Sequence, residues 1–161
     1  MGQDTSFPVE FEFDAEGTRK MRCDIEVRMR QPWDEAHDMA TDEAPAYGGD
    51  GSAPTPLHTF TTALAGCLMT QLRVMSRRVK VPIHGVRISG RTEWIARSED
   101  RAPHLAEPVA FELDIALETD ADEAEQRRLV DAAQRSCFVE QSLKPGILKH
   151  RLWLGDGWVD L

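Results

Sequence analysis

Residues 57–80 read LHTFTTALAGCLMTQLRVMSRRVK. Leu57, Phe60, Leu64, Cys67, Leu68, Gln71, Leu72 and Met75 recur at three- and four-residue spacing, which predicts one long helix. Its first half is nearly apolar all round, through Ala63, Leu64, Ala65 and Gly66, so a buried helix is expected rather than a surface one. Arg73 to Lys80 mark a wetter exit, and Pro82 ends it. Ala65 and Gly66 would let another backbone come close to Cys67. A thiol in this setting is either a small hydrophobe or a nucleophile, and the rest of the chain has to decide.

Upstream, FPVEFEF (7–13) alternates apolar and polar residues. From Met21 to Met29, Met21, Cys23, Ile25, Val27 and Met29 share one face, against Arg22, Asp24, Glu26 and Arg28 on the other. With DAEG (14–17) as the turn, residues 1–30 read as an N-terminal hairpin with one buried face, and Cys23 as a core residue. Residues 31–56 hold three prolines before Pro56, three glycines and six acidic residues. They read as a long polar loop, of the kind that serves as a lid, a binding loop or a segment covered by a partner.

Downstream, HGVRISGRTEW (84–94) and AFELDIALE (110–118) alternate as strands, joined by a polar loop containing residues 97–103. Residues 118–137 form a helix, acidic at its start and basic towards its end, as the helix dipole favours. FVEQSLKPG (138–146) reads as a short helix, and ILKHRLWL (147–154) closes the chain as a strand. The order strand-strand, loop, helix, strand-strand, helix, strand predicts a single α+β domain over residues 1–161 with a mostly antiparallel sheet.

Composition narrows the function. The chain has 161 residues, 41% hydrophobic and 29% charged, enough for about one domain with a real core. A net charge of −9 with no basic cluster argues against nucleic acid, since phosphate binding needs a basic face. No stretch approaches the roughly 18 apolar residues that span a bilayer, so no membrane partner is expected. The start carries no pattern of a secretory signal, and Ser6, with Thr5 one place early, gives only a faint myristoylation match. Three cysteines, at 23, 67 and 137, suit a reducing cytoplasm rather than a disulfide framework. Neither CxxC nor HExxH occurs, so no metal and no cofactor are expected.

A reactive Cys67 needs help, because burial raises a thiol pKa and the helix start is too far away. No Lys or Arg occurs between Arg30 and Arg73. An activating cation would come from Arg19, Arg22, Arg28 or Arg30, from a later strand, or from a second subunit; His58 is the other candidate nearby in sequence. Cys137 sits at a junction between two helical stretches, where a new helix start could lower its pKa.

The stretch DEAPAYGGDGSAPTPLHTFTTALAGCL (42–68) resembles the OsmC/Ohr family, whose hallmark is a Gly-rich, Pro-containing approach to a helix of the form P-x-x-L…A-L-A-x-C. RSCFVEQSLK (135–144) resembles that family's second motif. The resemblance implies an intertwined homodimer with two six-stranded sheets around central helices. It also implies thiol-dependent reduction of organic hydroperoxides, with Cys67 attacking the peroxide and Cys137 resolving the sulfenic acid as a disulfide. A small apolar hydroperoxide and a dithiol reductant are then the partners, and His58, Phe60 and Leu64 the candidate substrate pocket. Three features depart from the family pattern. Leu57-His58 stands where peroxidase members carry a glutamate, no single arginine matches the activating one unambiguously, and Phe138 replaces the usual proline. The alternative is an OsmC-like protein that binds a small apolar ligand or performs a different thiol reaction. A further alternative is an interaction module using the acidic 31–56 segment.

Overall fold

The computed structural model describes residues 6–98 and 103–161. Thr5 and the centre of the 97–103 loop lie outside them. The chain divides into two compact units, residues 1–60 and 61–161.

The first unit is a three-stranded antiparallel sheet, β1 (Glu10–Arg19), β2 (Arg22–Gln31) and β3 (Glu35–Thr41), in that order. The hairpin turns at Lys20-Met21, not at 14–17. Asp14 and Glu16 simply continue the polar face of β1, opposite Glu26 and Asp24 of β2. The segment 31–56 is likewise no continuous loop. Residues 35–41 pair with β2 as β3, with Val27 opposite His37, Ile25 opposite Met39 and Cys23 opposite Thr41. Directly paired residues share a face, so Phe11, Phe13, Ala15, Ile25, Val27, Met29 and Met39 form one apolar side. That side is largely open: Phe13 is 76% exposed and Phe11 54%. Cys23 is correspondingly half-buried rather than a core residue, because no layer of this unit packs over it.

Asp42 follows β3 and is buried. Its carboxylate accepts from the backbone N–H of Glu43 (2.8 Å), Asp50 (3.2 Å) and Ser52 (2.9 Å) and from the Ser52 hydroxyl (2.8 Å). These bonds hold its pKa down at about 2, the Ser52 backbone bond contributing most. A short 3₁₀ turn, Pro45–Tyr47, sits inside the loop so gathered. Gly49 passes so close to the Glu43 carbonyl that a Cβ would lie 1.8 Å from its oxygen, which excludes any side chain there.

Helix α1 (Pro56–Arg78) begins in the first unit and runs into the second. The second unit adds β4 (Gly85–Arg97), β5 (Leu105–Glu118), α2 (Glu123–Ser136), the one-turn α3 (Phe138–Gln141), β6 (Leu148–Trp153) and β7 (Trp158–Asp160). Its sheet runs β4-β5-β6-β7; only β5 and β6 are parallel, since α2 and α3 carry the chain across between them. β7 extends the closing strand by one pairing the alternation does not announce, with Trp153 and Trp158 edge to face at 5.4 Å. The α+β class and the mostly antiparallel pairing follow the sequence pattern. The single chain builds sheets of three and four strands.

Phe111, Leu113 and Ile115 of β5, Leu129, Val130 and Ala133 of α2, and Leu152 of β6 make the buried core with the α1 leucines. Each fully buried leucine contributes roughly 1.5–3 kcal/mol relative to exposure. α2 starts in a capping box, Asp122 accepting from the Glu125 N–H at 2.9 Å while the Glu125 carboxylate accepts from the Asp122 N–H.

Candidate active site

Leu64, Leu68 and Leu72 recur every four residues and are wholly buried, with Met75 next along the same stripe of α1. Cys67 stands at the edge of that stripe, one residue before Leu68, and is half-buried. The opposite side of α1, with Ala63, Gly66 and Thr70, is exposed, and the Thr70 hydroxyl turns back to the Gly66 carbonyl at 3.0 Å. The expected all-round burial is therefore not met within one chain. The core of the second unit reaches one stripe of the helix, and the small residues face away from it.

Cys137 ends α2 and begins α3 in an extended conformation, φ −81° and ψ 104°. Its N–H donates to the Gln134 carbonyl at 3.2 Å, and its carbonyl accepts from the Gln141 N–H at 2.9 Å. It follows Val130 and Ala133 on the buried side of α2 and has no exposed surface. Cys67 is its neighbour, close enough to act on its thiol. Burial pushes the Cys137 thiol up to about 12; the Glu140 backbone opposes the rise, while Cys67 and the charge of Glu140 add to it. Both cysteines are free, and adjacent thiols of this kind can pass between a dithiol and a disulfide.

Two more polar groups complete the cluster. Glu140 of α3 and His150 of β6 pair at 3.3 Å (Oε1 to Nε2), with only 5% and 11% of their side chains exposed. Sequence reasoning passes over both, although one signal was present. His150 alternates with Leu148 and Leu152, so it points to the buried side of β6.

The other candidate residues are placed as follows. His58 is exposed and engaged at the start of α1. Thr55 is its cap: its Oγ1 accepts from the His58 N–H at 3.3 Å, while the Thr55 N–H donates to His58 Nδ1, also at 3.3 Å. This is a capping box with histidine in the place usually taken by Glu or Gln. Phe60 is half-buried in the first unit, and Leu64 is fully buried in the second. Of the hairpin arginines, Arg22 pairs with Asp24 (2.6 Å), Arg28 with Asp34 (2.9 Å) and Arg30 with Glu12 (2.7 Å), and Arg19 lies in the field of Asp24. Among the described residues no group of three or more His, Cys, Asp or Glu could hold a metal ion, and no helix is long and apolar enough to cross a membrane.

The OsmC-like protein family matches residues 49–150, more than half of the chain, with Cys67 and Cys137 both inside the match. The chain belongs to the OsmC-like family. Among solved structures, an OsmC-like hydroperoxide resistance protein from Jannaschia sp. CCS1 is 34% identical to this OsmC-like protein, covering 95% of this chain and 98% of its own, with a TM-score of 0.55. An organic hydroperoxide resistance protein OsmC from Legionella pneumophila is 17% identical, covers 89% and 94%, and has a TM-score of 0.61. One from Elizabethkingia anophelis, with thiocyanate bound, is 13% identical, covers 96% and 100%, and has a TM-score of 0.59. The last two share the fold. No relative matches among curated proteins.

Proposed function

We propose that this OsmC-like protein reduces organic hydroperoxides through its two adjacent thiols. The observation that carries this is the proximity of Cys67 and the buried Cys137, one on each of two core elements. The 34%-identical Jannaschia protein, a hydroperoxide resistance protein, supports the same role. Cys67, the more exposed thiol, attacks the distal peroxide oxygen as a thiolate. The O–O bond breaks, the alcohol leaves with a proton, and Cys67 becomes a sulfenic acid. Cys137 then displaces hydroxide from that sulfur, giving a disulfide and water, and a dithiol reductant restores both thiols by exchange. A neutral Cys137 suits the second role, because it does not compete for the peroxide and is held beside the sulfur it must attack.

A second copy of this chain is the partner that fits the open apolar side of β1–β3, where Phe11 and Phe13 are more than half exposed. The exposed small-residue side of α1 also suits close approach of another helix. The substrate is a small apolar hydroperoxide, and its reduction takes place in a reducing cytoplasm.

The test is consumption of cumene hydroperoxide with dithiothreitol as reductant, comparing wild type with Cys67→Ser. The wild type is expected to turn over and Cys67→Ser to be inactive. Equal, negligible rates would leave an OsmC-like protein that binds a small apolar ligand or performs another thiol reaction.

A further inference from the structure

Cys137 is wholly buried, yet it sits at a joint between α2 and the one-turn α3, with φ −81° and ψ 104°, outside the helical range. Helix ends leave backbone groups without intrahelical partners, so a joint needs bonds from elsewhere to fix it. One residue supplies two of them. The Gln141 N–H donates to the Cys137 carbonyl at 2.9 Å, and Gln141 Nε2 donates to the Gln134 carbonyl at 3.0 Å. That same Gln134 carbonyl accepts from the Cys137 N–H at 3.2 Å. Gln141 thus closes a bracket around Cys137, from its carbonyl on one side to the acceptor of its N–H on the other. Ser142 braces the same turn, its hydroxyl donating to the Phe138 carbonyl at 2.7 Å. α3 is also tied to β6, through Glu140 and His150 at 3.3 Å. A joint held by α3 is therefore held against the sheet.

We infer that Gln141 is a positioning residue for disulfide closure: its bracket holds Cys137 in reach of the oxidised Cys67, and so sets whether Cys67 is resolved or oxidised further. The inference rests on the hydroperoxide chemistry proposed above. Two reactions compete for Cys67–SOH. In closure the Cys137 sulfur attacks the Cys67 sulfur, the S–O bond breaks and the S–S bond forms. The departing hydroxide leaves as water with the thiol proton; Cys137 is oxidised and the sulfenic sulfur reduced. In over-oxidation a second hydroperoxide gives an oxygen to Cys67–SOH, leaving a sulfinic acid and the alcohol. Closure is intramolecular, so its rate follows how often the two sulfurs meet in the right geometry. Over-oxidation follows the peroxide concentration. A looser joint slows the first and leaves the second alone. Gln141 acts through the Cys137 backbone rather than on the reacting sulfurs. It is exposed, so replacing it removes the bracket without opening a cavity.

The test uses the full chain, treated with excess cumene hydroperoxide and no reductant. Mass spectrometry reads the ratio of Cys67–Cys137 disulfide to Cys67 sulfinic acid. Gln141→Leu keeps the backbone N–H and removes the Nε2 donor. It should lower the ratio by about fivefold, the ordinary effect of one hydrogen bond. Dimedone trapping at early times should show Cys67 forming sulfenic acid at the wild-type rate. Phe138→Pro stiffens the joint by another route. Phe138 opens α3, where a proline fits, and Cys137 already has the extended conformation that a following proline demands. The double variant should therefore return to the wild-type ratio.

An unchanged ratio in Gln141→Leu overturns the inference. So does a lowered ratio that Phe138→Pro leaves lowered, since a merely structural loss is not repaired there. Should Gln141→Leu fail to fold, Phe138→Pro decides alone: a ratio above wild type supports the bracket, and an equal or lower one overturns it. A wild type that forms no sulfenic acid would instead overturn the hydroperoxide chemistry. Closure driven by diamide, which needs no peroxide, then decides on the bracket: slower closure in Gln141→Leu supports it and equal closure overturns it.

Discussion

Cys137, buried where α2 gives way to α3, has Cys67 of α1 as its neighbour, and Cys67 adds to the rise in its pKa. The two therefore differ in what they can do before oxidation. Cys137 is shielded and held neutral, with its pKa pushed up from 9.0 to about 12 chiefly by burial. Iodoacetamide applied to the reduced, folded protein at about pH 8, below an ordinary thiol pKa, should label Cys67 well before Cys137. The same shift predicts how stability varies with pH. A group whose pKa is higher folded than unfolded contributes stability that is fully present below 9.0 and lost as pH rises towards about 12. Cys137→Ala should therefore flatten the alkaline limb of a urea-midpoint profile.

Asp42 works in the opposite direction. Its pKa is lowered from 3.8 to about 2 by the loop N–H groups it accepts, Ser52 first. Its contribution is therefore present above 3.8 and lost as pH falls through about 2. Asp42→Asn should lower the melting temperature at neutral pH and lessen its fall in acid. Circular dichroism melts of both proteins across the acid range check this.

The start of α1 depends on Thr55 and His58 together. Thr55→Ala should cost about 1 kcal/mol, the ordinary worth of an N-cap. His58→Gln, which retains the box, should stay within about 0.5 kcal/mol of wild type. Urea denaturation measures both. If His58 serves the cap alone, hydroperoxide turnover by His58→Gln equals that of wild type; a large loss would return His58 to the substrate pocket.

Phe13, on the open apolar side of the first sheet, is the residue to charge if a second copy covers that side. Phe13→Glu should convert a dimer to a monomer in sedimentation velocity. Glu12→Gln, on the polar side of the same strand, should leave the dimer intact.

How much was legible in the sequence depended on whether the signal was local. The stripe through Leu64, Leu68 and Leu72 was readable, because helical spacing and side-chain type agree over about five turns, from Leu57 to Met75. β3 was not, because Glu35–Thr41 looks polar in isolation; its place comes from pairing His37 and Met39 with Val27 and Ile25. DAEG carries turn residues, yet Asp14 and Glu16 also satisfy a strand with a wet face, and the longer pairing with β2 wins. The two cysteines were nameable through their motifs. Glu140 and His150 were not, since they become a pair only when the parallel β5–β6 pairing brings β6 under α3. The cap at His58 was half visible, as a helix-start residue without its partner.

The central claim is that Cys67 and Cys137 form one redox pair. The most direct measurement is peptide mapping by mass spectrometry after one equivalent of cumene hydroperoxide, without reductant. The expected product is a Cys67–Cys137 disulfide, with Cys23 left free, and a trapped sulfenic acid at Cys67 when Cys137 is replaced by serine. A wild-type chain that consumes no hydroperoxide and keeps all three thiols reduced would contradict it.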